Sequence, residues 1–173
     1  RASGSGITVS GIILRPKTAD WYDASSSRGF SKNRSSGWNL EGMEPKNRLG
    51  LDLENAHVDN RGLYHYHGIS SSLVSSLDGT LLGYAADGHE IHYVGEKAKA
   101  SWQLKNGMRS TPPFGRFDGT YNQDYHYVAG SGNLDECNGN QTKEQYRYYA
   151  TNTYPFFPRC FHGRVSKDFK RSQ

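Results

Sequence analysis

Two cysteines, two methionines and six prolines are all that a chain of 173 residues carries of these types. Hydrophobic residues make up only 34% of it. No apolar stretch approaches the roughly 20 residues that a membrane-spanning helix requires. Nucleotide-binding glycine fingerprints, a nucleophile elbow and a Cys–His nucleophile pattern are absent, which argues against cofactor enzymes and serine hydrolases. Helix-turn-helix, RNP and zinc-finger patterns are missing too, so a nucleic-acid partner is not expected.

What stands in place of aliphatic residues is aromatic: 12 Tyr, 7 Phe and 3 Trp. Such side chains bury much area each, so a core needs fewer of them. Twenty glycines punctuate the chain and leave little room for long helices. Composition therefore favours a mainly β fold: a single compact antiparallel domain, sandwich or barrel-like, with long loops and at most short helices. One domain is expected over residues 1–173, with a flexible lead at 1–6 and a flexible basic tail at 165–173.

Charge adds little. There are 21 Lys and Arg against 17 Asp and Glu, with basic residues scattered near both ends. A solvated surface explains this, and docking of an anionic polysaccharide or a cell-surface partner is the alternative. The sequence opens on Arg1 rather than Met, as a chain does once a leader is removed. Cys137 and Cys160 suit one disulfide in an oxidising compartment. An extracytoplasmic location (secreted, periplasmic or surface) is the expectation.

Strands are expected at 7–14, 81–85, 91–94, 125–128 and 145–151, with turns at Asp87-Gly88, Asn106-Gly107, Asp118-Gly119 and Asn138-Gly139. A short helix is expected within 68–77, where Leu73, Val74 and Leu77 share a face. The polar stretch 17–37 reads as an ordered loop pinned by Trp21, Tyr22 and Trp38 onto one contiguous core.

The chemistry lies in residues 55–68, Asn-Ala-His-Val-Asp-Asn-Arg-Gly-Leu-Tyr-His-Tyr-His-Gly. In a strand, His65 and His67 point to one face and Tyr64 and Tyr66 to the other. Asp59-Asn60-Arg61-Gly62 suits a type I turn closed by a glycine bulge. That register sets His57 opposite His65, with Cβ atoms ~4.5–5.5 Å apart. Three imidazoles on one face can then hold zinc or copper and leave a position open. Copper is favoured because the affinity of nitrogen ligands for divalent ions peaks there. One transition-metal ion is therefore expected, with His57, His65 and His67 as metal ligands. Any fourth ligand is open among His89, His92, His126, Asp135 and Glu136. Exposed turn positions are expected for His89 and His92, a hydrogen-bonded core or cleft site for His126, and an Asx turn for Asp135.

The same residues carry a resemblance. Asn55-Ala56-His57-Val58 and the Tyr-His-Tyr-His-Gly of 64–68, with residues 82–88, 130–139 and 154–163, resemble blocks of the YHYH domain family. What the resemblance implies is an extracytoplasmic bacterial-type domain with proposed metal binding and no characterised reaction. The chain departs from the family pattern at residues 88–92 and at His126, so those histidines inherit no role. Three functions follow. The first is a metal-binding module for capture, delivery or sensing. The second is a metalloenzyme, hydrolase or copper oxidase, with unknown catalytic residues. The third is an adhesive or structural surface domain without metal.

Overall fold

The computed structural model describes residues 4–169. The expected opening strand is folded back on itself. β1 (Gly6–Thr8) and β2 (Ile13–Leu14) form a hairpin, and Thr8 N–H donates to the Ile12 carbonyl at 2.9 Å across the turn. Gly4 to Gly6, expected to lie in a flexible lead, are buried, and Ser5 N–H donates to Leu14 O. Backbone pairing overrides a polar, small-residue composition there. At the other end, Ser166 N–H donates to Ala86 O and Lys167–Phe169 form a 3-10 turn within the stretch expected to be a flexible tail.

The stretch 17–37 is not simply a loop. It contains β3 (Lys17–Tyr22) and β4 (Phe30–Ser31), which with β5 (Asn39–Glu41) make a three-stranded sheet in the order β4-β3-β5. Its alternation was hidden by serines that cap turns, as Ser26 and Ser31 do by hydrogen bonding to Phe30 O and Asp23.

β6 (Ala56–Val58), β7 (Tyr64–Tyr66), β8 (Leu81–Ala85) and β9 (Glu90–His92) follow, with α1 (Ser71–Ser75) after β7. The helix starts on Ser70, whose Oγ accepts Leu73 N–H at 3.0 Å. It is shorter than expected, because Ser75 and Ser76 turn their hydroxyls back onto its carbonyls. β10 (Trp102–Leu104) pairs with β13 (Tyr125–Tyr127), and β11 (Met108–Arg109) with β12 (Gly115–Arg116). β14 (Gly139–Gln141) and β15 (Tyr146–Tyr149) complete an eight-stranded sheet in the order β14-β15-β9-β8-β1-β2-β7-β6. The fold is mainly β with long loops, as its composition implies. The large sheet is mixed rather than purely antiparallel, since β2–β7 and β15–β9 run parallel, and no closed barrel forms among the described residues.

The core divides in two rather than forming one mass. Leu14, Ala56, Tyr66, Leu82, Ile91, Tyr148 and Phe157 fill the larger cluster against the main sheet. Phe30, Leu40 and Tyr121 form the smaller one, with Tyr22 and Trp38 packed on it. Trp21 stands apart, its ring 5.7 Å from the Arg34 guanidinium. Cys137 and Cys160 are bonded to each other, closing a separation of 23 residues between the turn before β14 and the tail. A loop of that size stabilises by about 3 kcal/mol on the chain-entropy account.

Candidate metal centre

The hairpin β6–β7 is built by its turn. Asp59 N–H donates to Leu63 O at 3.0 Å and Gly62 N–H to Asp59 O at 2.9 Å, while Asp59 Oδ1 accepts from Arg61 N–H and Leu63 N–H. Gly62 has φ of 79°, the left-handed position that the bulge demands and that a side chain would strain. The Arg15 guanidinium, 2.8 Å from Asp59 Oδ2, holds that carboxyl well below the usual range and ties the turn to the neighbouring strand. The register is therefore Ala56 opposite Tyr66, His57 opposite His65 and Val58 opposite Tyr64, as expected from the turn sequence.

On the far face, Tyr66 enters the main core and Tyr64 donates from its hydroxyl to Asp52 Oδ2 at 2.6 Å. The Tyr64→Phe variant should lose about 1 kcal/mol of stability in denaturant titration. Its metal affinity should match that of the wild type in the same preparation, because the side chain turns away from the imidazoles.

On the near face, three imidazoles meet. Nε2 of His65 lies 3.1 Å from Nε2 of His57 and 3.1 Å from Nε2 of His67, and the remaining edge is 3.3 Å. His57 Nδ1 faces Leu49 O at 3.0 Å and His65 Nδ1 faces Leu63 O at 3.0 Å. A carbonyl can only accept, so both Nδ1 atoms carry their protons, and in the neutral imidazole each Nε2 then presents a lone pair. Two lone pairs at van der Waals distance repel unless a cation or a proton lies between them. Metal-bound histidines commonly donate their second N–H to a carbonyl in this way. Three nitrogens about 2.0–2.1 Å from one ion at near-tetrahedral angles would stand about 3.3 Å apart. The cluster fits that spacing, and His57, His65 and His67 are the one such group among the described residues.

Burial keeps the donors in the form a metal needs. His65 and His67 are each 2% exposed. Desolvation lowers the His65 pKa and pushes that of His67 down to about 2, with the neighbouring imidazoles and Arg159 adding to the latter. The consequence for stability has a definite sign. Between pH 6.5 and the lowered folded values, the unfolded chain binds protons that the folded chain refuses. Metal-free protein should therefore lose stability as pH falls below about 6.5, by up to about 1.4 kcal/mol per unit from His67 alone. Urea midpoints measured from pH 7.5 to 5 check this, and the slope should be shallower in His67→Gln.

His67 Nδ1 is buried without a hydrogen-bond partner. It faces Gly42, where an added Cβ would stand 2.3 Å from Nδ1 and 2.9 Å from Cγ. Gly42 follows Glu41, a residue 1% exposed that is paired with the Arg159 guanidinium and accepts Met43 N–H. That pair clamps the Glu41–Met43 backbone against the tail, and the backbone in turn closes over His67. Neither Gly42 nor the Leu49 carbonyl was legible in sequence, since both act through backbone from outside the hairpin.

The other sequence candidates lie elsewhere. Asp135 makes the Asx turn, its Oδ1 accepting Cys137 N–H and Gly139 N–H, and its Oδ2 the Tyr146 hydroxyl. Glu136 is exposed. His89, half-buried rather than exposed, faces Tyr146 O through Nδ1. His92 is on β9 and not in a turn, held between Glu90 at 2.8 Å and Thr80 at 2.9 Å. His126 is exposed on β13 opposite Gln103, not in a core or cleft, because this two-stranded ribbon offers that face no covering layer. None joins the three-histidine group.

This mainly β domain presents from one hairpin three convergent imidazoles that could hold a metal ion. The chain is a member of the YHYH family: the family model, described as YHYH protein, matches residues 1–163. No curated protein matches the chain, and no solved structure does.

Proposed function

We propose that this protein is an extracytoplasmic metal-binding domain that holds one transition-metal ion on His57, His65 and His67, copper in preference to zinc, for capture, delivery or sensing. The observation that carries this reading is the convergence of three Nε2 atoms within 3.3 Å, two of them on imidazoles whose Nδ1 protons are held by carbonyls. All three donors are nitrogen, which suits both ions, and copper stands above zinc in divalent affinity for such donors. The Cys137–Cys160 disulfide is typical of extracytoplasmic proteins, and no helix among the described residues is long and apolar enough to cross a membrane.

The test is elemental analysis of untagged protein after exposure to equimolar copper and zinc. One copper per chain with little zinc is the expected result. Zinc at full occupancy would overturn the copper assignment and keep the site, whereas neither metal bound would overturn both.

A further inference from the structure

The size of the nitrogen triangle says more about what such a site would take. With edges of 3.1, 3.1 and 3.3 Å, its centre is about 1.8 Å from each Nε2. That is shorter than the metal–nitrogen distance of about 2.0–2.1 Å. An ion bonded to all three nitrogens at that distance would sit out of their plane, in a pyramidal arrangement. Pyramidal ligation leaves a fourth direction, and no fourth His, Cys, Asp or Glu among the described residues joins the group. The cluster is also asymmetric in exposure: His65 and His67 are buried while His57 is only half-buried, so the His57 edge is the one nearest solvent.

Charge points the same way. Every donor is an imidazole, so a divalent ion there would keep its whole charge. Asp59 is paired with Arg15 and Glu41 with Arg159, while Asp52, which accepts the Tyr64 hydroxyl, lies within electrostatic reach of His57. Each of the two ion pairs is close to neutral as a unit and offers the ion no compensation. A partly desolvated dication with neutral ligands draws an anion to its open side.

Resting on the metal-binding reading above, we infer that the three-histidine centre is a receptor for one small monodentate anion from solution, taken at the fourth position of the ion on the side of His57. Bulky or chelating anions are disfavoured, because one direction is open and two of the three imidazoles are enclosed.

Azide is the probe. The whole protein, loaded with one Cu(II) per chain, is titrated with sodium azide and followed by visible absorption and electron paramagnetic resonance. The expected result is a new azide-to-copper charge-transfer band that saturates at one azide per copper, with a matching change in the copper hyperfine pattern. Copper bound at one per chain whose spectra stay unchanged at saturating azide would overturn the anion site and leave the metal site standing. Copper extracted from the protein by azide would overturn it as well, since a fourth ligand should add without displacing imidazoles. Failure to take up copper at all would overturn the metal-binding reading, and this inference with it.

Discussion

The Gly42→Ala variant is expected to lower metal affinity by about 100-fold while the domain stays folded. The reason is steric and local. A Cβ there would sit 2.3 Å from His67 Nδ1, 2.9 Å from Cγ and 3.2 Å from Cβ, all in the body of one ring. The Gly42 backbone cannot retreat easily, because Glu41 is held by Arg159 on one side and by Met43 N–H on the other. His67 must therefore rotate, and its Nε2 leaves the triangle. Competition against a chelator of known strength measures the loss, and circular dichroism with a count of free thiols confirms the fold. A variant that folds and binds as tightly as wild type would show that His67 is not held in place by this contact.

The largest effect on stability is expected far from the histidines, at Asp124. This carboxylate is fully buried and accepts from Arg109 Nε at 2.8 Å, Arg109 Nη2 at 2.6 Å, Gly119 N–H at 3.0 Å and Tyr121 N–H at 3.2 Å. The Arg109 guanidinium, 5.1 Å from the Tyr121 ring and 5.8 Å from that of Trp38, underpins the smaller core. In Asp124→Ala, Arg109 would keep only Asp118, whose side chain is 51% exposed. Removing one partner of a buried pair strands the other, at a cost of about 3–5 kcal/mol. Equilibrium denaturation should show that loss, and a change below about 1 kcal/mol would mean that the pair is structurally dispensable.

What sequence made legible was local. The Asp59-Asn60-Arg61-Gly62 turn carries its own register, because an Asx-type acceptor and a left-handed glycine admit few alternatives. With that register the pairing of His57 and His65 follows. Strand Leu81–Ala85 was equally plain, with a turn signal at each end. Hidden were features that depend on distant chain. The 17–37 stretch looks like loop because its strands carry Lys, Thr and Asp, and only pairing with Asn39–Glu41 reveals them. The parallel contact between β2 and β7 has no local signal at all. The backing of the three-histidine group belongs to the same class: Gly42, Leu49 O and the Glu41–Arg159 pair meet the hairpin only in the fold.

Metal stoichiometry and affinity for the wild type and for His57→Ala, His65→Ala and His67→Ala, measured in one buffer, test the central claim most directly. One copper per chain is expected for wild type, with affinity falling by at least about 100-fold in each variant, since each removes one of three bonds to the same ion. Unchanged binding in all three variants would contradict the site, and loss confined to His65→Ala and His67→Ala would contradict the place of His57 in it.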